Sequence, residues 1–239
     1  MIVISSGFPK SASTLLFLYT EHLFSAAGKS QGQRLFRRFN KEGFTPHFGF
    51  LNTPWYVLLS LFGPLVIKTH AGPTFFVRLL IGMGLAKAYY SVRDPRDAVL
   101  SAMDHAKKAR EKGIQSDSDV AFAPFKTWDD LFPAFHMHHQ RYEAWKRYGK
   151  ALFLRYEDVV TDPAEELTRV VHFLDRKKLE PYIPETVQLF GEKKQSTKNF
   201  NKGAVTRYRE ELNAEQLELL EKKMGPCITS MGYTLNAAR

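Results

Sequence analysis

A short apolar run near the start of the chain, Ile2-Val3-Ile4-Ser5-Ser6, passes into Gly7-Phe8-Pro9-Lys10-Ser11-Ala12-Ser13-Thr14 and then into a helical pattern. A turn of small residues feeding a helix presents backbone N–H groups and the positive end of the helix dipole to an anion. Lys10 adds a full charge, and Ser11, Ser13 and Thr14 add hydroxyl donors, so the chemistry on offer is the cradling of a phosphate. The loop is not the G-x-x-x-x-G-K-[ST] type, since it holds no Gly-Lys pair. The same serines would also serve as a plain helix cap, and the loop alone does not choose. Two further residues stand where a strand would end. His70 closes Leu65-Val66-Ile67-Lys68-Thr69-His70, and its ordinary pKa near 6.5 suits proton removal at neutral pH. Lys68, two residues earlier, points to the same side of an extended chain. Arg93 follows the run Ala88 to Val92, and a guanidinium grips phosphate oxygens bidentately. Ser101 shares a helical face with positions 94 and 97. Arg93 could instead pair with Asp97 to brace the helix start, and Arg96 is assigned a structural part.

The elements that must position these side chains alternate. Four mostly apolar runs, Ile2 to Ser6, Leu65 to Thr69, Ala88 to Val92 and Ala151 to Arg155, read as buried parallel strands. Helical patterns separate them: Thr14 to Ala27, Thr74 to Leu85, Pro95 to about Glu111, Pro133 to Tyr148 and Pro163 to Asp175. The alternation predicts an α/β fold of one domain over 1–239, with a central parallel β-sheet flanked by helices. In such a sheet ligands bind at the carboxyl ends of the strands, where the loop, His70 and Arg93 all fall. Asp94-Pro95-Arg96-Asp97 and Asp162-Pro163-Ala164-Glu165 share one grammar of helix start, with an Asp cap, a Pro at the first helical position and an acid beyond it. A last helix opens at Asn213 with Gln216 and is predicted to stop near Gly225-Pro226. Lys29 to Pro54 and Glu111 to Trp128 read as loops or lids.

Taken together these segments resemble a family. Phe8-Pro9-Lys10-Ser11-Ala12-Ser13-Thr14 is similar to the [YF]-P-K-S-G-[TS]-T loop of sulfotransferases that use 3′-phosphoadenosine-5′-phosphosulfate (PAPS), with Ala12 in place of glycine and Leu15 in place of a following tryptophan. Arg93-Asp94-Pro95-Arg96-Asp97 with Ser101 resembles the segment whose Arg and Ser hold the 3′-phosphate, and Lys68-Thr69-His70 the strand end whose histidine is the base. Tyr156-Glu157-Asp158 with Asp162-Pro163 resembles the strand and helix that lend a tyrosine to the adenine pocket. Phe200-Asn201-Lys202-Gly203-Ala204-Val205-Thr206-Arg207-Tyr208 looks like the segment that closes over the 3′-phosphate, with Asn201 for arginine, Thr206 for glycine and Tyr208 for tryptophan. The resemblance runs from residue 8 to about 208. It implies a P-loop-NTPase-like sulfotransferase fold and sulfuryl transfer to a hydroxyl or amine. It also implies His70, Lys10 and Lys68 as catalytic, and Lys10, Ser11, Ala12, Ser13, Thr14, Arg93, Ser101, Tyr156, Asn201, Lys202 and Gly203 as binding the donor PAPS or the product 3′-phosphoadenosine-5′-phosphate (PAP), with no metal.

Composition narrows the classes. The 239 residues carry 34 Lys plus Arg against 25 Asp plus Glu, a net charge of +9, which asks for an anionic partner. One cysteine, Cys227, excludes an internal disulfide and any cysteine-cluster metal site and fits a reducing, cytoplasmic compartment. The start of the chain lacks a signal-peptide pattern, and Trp55 to Ile67 is too short to span a bilayer. His136 and His139 share a helical face and read as polar surface rather than a metal site. Phe44, Phe48, Phe50, Phe75, Phe76, Phe122 and Phe125 divide between core and an apolar pocket for a small-molecule acceptor, apolar or aromatic in kind. The alternatives are a small-molecule kinase with an atypical phosphate loop and a basic nucleic-acid-binding protein. Against the second, the basic residues are scattered and no nucleic-acid module is recognised. Oligomeric state is not specified.

Overall fold

A computed structural model describes residues 1–39, 49, 52–114, 116–194 and 205–235. Its core is a four-stranded, all-parallel sheet of β1 (Ile2–Gly7), β2 (Leu65–Thr69), β3 (Ala86–Val92) and β4 (Ala151–Arg155), in the order β2-β1-β3-β4. The helices are α1 (Ser13–Ala26), α2 (Gln31–Phe39), α3 (Asn52–Ser60), α4 (Phe75–Gly82), α5 (Pro95–Lys112), α6 (Asp117–Phe122), α7 (Trp128–Tyr148), α8 (Tyr156–Thr161), α9 (Pro163–Phe173), α10 (Ile183–Lys194), α11 (Tyr208–Glu211) and α12 (Ala214–Ser230). The strands are mostly apolar because helices cover both faces of the sheet. Ile2, Ile4, Ile67, Ala88 and Tyr90 pack with α2 to α5, α7 and α12, whereas Val3, Val66, Tyr89 and Leu154 pack with α1, α8, α9 and α10. The register pairs Ser6 with Thr69 and Gly7 with Ser91, so the exits of β2 and β3 flank the exit of β1.

The α/β architecture and the four strands agree with the sequence, but several boundaries differ. Both predicted lids contain helix: α2 and the start of α3 lie within 29–54, and α6 within 111–128. Helix α7 starts five residues before Pro133, because Thr127 and Asp130 form a reciprocal capping box with Asp130 N 3.3 Å from Thr127 Oγ1. Helix α4 is capped by Thr74 and ends at Gly82, and Leu85 instead accepts from Ile2 N where β1 and β3 begin. The stop predicted at Gly225-Pro226 does not occur. A proline inside a helix costs about 3 kcal/mol, and burial of Cys227 and Ile228 in the core offsets it, so α12 runs to Ser230. Residues 156–161, between the strand and helix of the sequence reading, form the short helix α8. Among the described residues no helix is long and apolar enough to cross a membrane.

Candidate active site at the carboxyl end of the sheet

The loop between β1 and α1 is held by its own small residues. A Cβ on Gly7 would lie 2.2 Å from Ser91 Oγ and 2.9 Å from Ser13 Cβ, so only glycine fits where β1 and β3 leave the sheet together. Ser11 is fully buried; its hydroxyl donates to Phe8 O at 2.6 Å and lies 2.7 Å from Ser91 Oγ, which fastens the loop to β3. Phe8 anchors the loop from below, edge-on to Phe135 at 5.2 Å. Ala12 adopts the left-handed conformation, φ 64°, and no side chain caps α1. The first-turn amides of α1, from Ser13 and Thr14 onward, therefore face the loop without a protein acceptor from the cap and without an acid beside them. Of the predicted loop residues, Ser11 serves structure, while Lys10, Ala12, Ser13 and Thr14 surround this helix end.

Three cations converge there. Lys10, at φ 62°, sends its ammonium to donate to His105 Nδ1 at 3.2 Å and lies 5.4 Å from the Phe122 ring centre. Burial first, then the charges of Arg93, Lys108 and Lys68, bring its pKa down to about 8. Burial alone holds Lys68 at about 8. The Arg93 side chain is almost wholly buried: Nη1 donates to Lys10 O at 3.2 Å, Nη2 lies 3.7 Å from Asp97 Oδ2, and the guanidinium sits 3.9 Å from the Tyr156 ring centre. The brace to Asp97 expected as an alternative is thus present, yet the same guanidinium also faces the loop. Ser101 is buried on α5 between Asp97 and His105, one turn from each, which places it along the edge that faces Arg93 and Lys10. Arg96 is structural, as expected, clamped by Asp94 at 2.7 Å and Glu221 at 2.5 Å with Tyr208 stacked 4.0 Å away.

His70 enters from the end of β2. Its Nδ1 lies 2.7 Å from Gly7 O, and a carbonyl oxygen only accepts, so Nδ1 carries the proton and Nε2 keeps the lone pair. Burial, then Lys68 and Arg141, push its pKa down to about 4 despite the carbonyl bond. The loop that carries it is pinned by α7, with Arg141 Nη1 donating to His70 O at 3.2 Å and Trp145 Nε1 to Ala71 O at 3.0 Å. Asn201, Lys202 and Gly203 lie outside the described residues, as do Phe44, Phe48 and Phe50. The chain just beyond them docks on α5, where Asp97 accepts from Thr206 N at 2.8 Å and Tyr208 N at 3.0 Å. Thr206 is left-handed, φ 62°.

A sulfotransferase domain model matches residues 58–232, more than half of the chain. This chain belongs to the sulfotransferase domain family. The match begins beyond the first loop, and the fold carries the likeness over the rest. Bovine sulfotransferase 1A1 is 23% identical over 145 residues, 61% of this chain, and the chain matches about half the length of that curated relative, 47%. Retinol dehydratase, crystallised with retinol and PAP, superposes with a TM-score of 0.59 at 18% identity, covering 99% of this chain and 83% of its own. Mouse sulfotransferase SULT7A1 complexed with PAP gives 0.57 at 18% over 96% and 88%, and the sulfotransferase domain from the curacin biosynthetic pathway gives 0.58 at 15% over 99% and 98%. These structures share the fold. Within it, two positions where the family segments carry glycine, 12 and 206, are both left-handed here, which is why glycine suits them.

Three site neighbours carry no strong signal in the sequence. Gly7 is required by packing, His105 meets Lys10, and His138 stands with its ring 5.8 Å from that of His70. Only the helical phase of His105, one turn beyond Ser101, could have pointed to the site. His139 binds Ser230 Oγ at 2.6 Å, and among the described residues no three potential ligands gather around a metal position. Phe75 is 73% exposed, while Phe76, Phe122 and Phe125 pack against the core.

Proposed function

We propose that this protein transfers the sulfuryl group of PAPS to a hydroxyl or amine of a small apolar or aromatic acceptor, leaving PAP. The observation that carries the reading is the convergence, at one sheet end, of an uncapped helix terminus, buried Arg93, half-buried Lys10 and Lys68, and a histidine whose tautomer leaves Nε2 as a base. Three cations gathered at one sheet end, with Arg93 braced by Asp97, fit a polyanion. PAP in the retinol dehydratase and mouse sulfotransferase structures supports this donor, and retinol and androsterone in the former support an apolar alcohol as acceptor. Family membership and the absence of the full G-x-x-x-x-G-K-[ST] pattern weigh against the kinase reading. The one cysteine, buried Cys227, supports a reducing, cytoplasmic setting.

PAPS supplies an activated sulfuryl group with a good leaving phosphate. The remaining steps belong to the chain. Arg93 and Ser101, with Lys202, Gly203 and Asn201, hold the 3′-phosphate; the docking of Thr206 and Tyr208 on Asp97, beside Arg93, supports that closure. Tyr156 steadies the Arg93 guanidinium and borders the adenine. The α1 amides, Ser11 to Thr14, Lys10 and Lys68 stabilise charge on the sulfuryl and departing phosphate oxygens. His70 Nε2 takes the acceptor proton, and the bond from Nδ1 to Gly7 O holds the ring through the transfer. No metal takes part.

Calorimetry with PAP and an assay with radiolabelled PAPS against a panel of phenols, alcohols and amines test this. Micromolar PAP binding and labelled product are expected; no binding at millimolar PAP overturns the reading. His70→Ala retains PAP affinity and loses roughly 10²- to 10⁴-fold in turnover. Turnover with ATP and magnesium instead, or only salt-dependent binding to arbitrary DNA, selects the kinase or nucleic-acid reading.

A further inference from the structure

Lys10 is the one cation of the loop that reaches across to α5, and what it meets there is a pair of residues rather than a single contact. Its ammonium can only donate, so His105 Nδ1 must accept and the imidazole proton must sit on Nε2. Nε2 lies 3.0 Å from Asp119 Oδ1, an ion-pair contact bent away from a linear hydrogen bond, and the carboxylate charge favours a proton on the nitrogen that faces it. The two neighbours thus favour the same tautomer, and a line of ammonium, imidazole and carboxylate runs from the loop through α5 to α6. Phe122, also on α6, closes the side of the line, with its ring 5.2 Å from that of His105 and 5.4 Å from Lys10 Nζ. Arg110 Nη1 donates to Ala123 O at 3.2 Å and to Phe125 O, which fixes the end of α6 against α5. Asp119 belongs to the stretch 111–128, which lies between the segments that carry the resemblance in the sequence.

We propose that His105 and Asp119 are positioning residues for Lys10: Asp119 fixes the imidazole tautomer, and Nδ1 then holds the ammonium over the loop in its charged form. This rests on the reading of the loop as a donor site. The need for such a hold is electrostatic. Arg93, Lys68 and Lys108 repel the Lys10 ammonium, and Asp104 attracts it only weakly by comparison. The groups that face His105 are Lys10 from the loop, Asp119 from α6 and Lys108 from its own helix. Burial and Lys10 keep the imidazole neutral, so it stays an acceptor at neutral pH. The dyad also ties the loop to α6, so displacement of α6 would change the orientation of Lys10.

The test reads Lys10 directly and needs neither donor nor turnover. Trace acetic anhydride is applied to the full chain from pH 6 to 10, and acetylation of Lys10 is quantified by mass spectrometry. Wild type is expected to titrate near 8. His105→Ala should lower that midpoint by roughly one to two units, the worth of one hydrogen bond to a charged group. His105→Gln, which keeps an acceptor, should restore most of it. Asp119→Ala, which leaves the core of α5 intact, should move the midpoint the same way by less. If His105→Ala and Asp119→Ala both label as wild type does, the dyad does not hold Lys10. If the midpoints move as expected while PAP fails to bind, the dyad stands and the donor assignment falls.

Discussion

The tautomer and burial of His70 predict an unusual pH profile. An ordinary histidine base, with pKa about 6.5, would be roughly 90% protonated and idle at pH 5.5. Held at about 4 by burial and by Lys68 and Arg141, His70 is only about 3% protonated there. The two cases differ about tenfold in activity at one pH, well outside assay error. On the alkaline side Lys10 and Lys68 both lose their protons near 8 in the empty protein, so kcat/KM for the donor should fall above pH 8 with a slope approaching two. The bound donor brings negative charge beside both ammonium groups and raises their pKa values, so kcat should hold to a higher pH than kcat/KM. The assay is initial-rate PAPS turnover from pH 4 to 10 at constant ionic strength, with His70→Asn as control for the acid limb. An acid limb between 6 and 7 in wild type would refute the account of His70. A kcat/KM level to pH 10 would refute the role of the two lysines.

Stability follows the same groups with a definite sign. His70 and His138, depressed to about 4 and about 3, bind protons in the unfolded chain at pH values where the folded protein does not. Their contribution is complete above about pH 6.5 and lost as pH falls toward 4, so melting temperature should drop across that window, and His70→Gln should flatten the drop. Ala12→Gly and Thr206→Gly relieve left-handed strain, the latter at a β-branched residue, and should each stabilise by about 1 kcal/mol, or roughly 2–4 °C in calorimetry. Gly7→Ala places a methyl group 2.2 Å from Ser91 Oγ and should cost roughly 1–3 kcal/mol and weaken PAP binding; unchanged melting would mean the β1–β3 exit relaxes easily.

Strand ends were legible because they are set locally. A mostly apolar run reads as a strand of a parallel sheet covered on both faces, and short connections put the residues after Ser6, Thr69 and Val92 at the same end of the sheet, so Lys10, His70 and Arg93 could be grouped without a structure. Helix limits failed where tertiary burial outweighs a local rule, as at Pro226, and where a cap lies upstream of a conspicuous proline, as at Thr127. Helices α2 and α6 hide in polar, irregular sequence because their stability comes from docking on other elements. The partners of Lys10 are the clearest case. His105 is 95 residues away and Asp119 stands in a six-residue helix, and neither is near the loop in any local pattern. Phase along α5 carries the only trace: Asp97, Ser101 and His105 recur every four residues, and all three are buried toward the loop. Once Arg93 is placed beside Asp97, that stripe requires the residue two turns on to stand near the other cation of the loop. A neutral acceptor there is what a crowded ammonium needs, because a fourth cation would repel it and an apolar side chain would leave its proton unbonded.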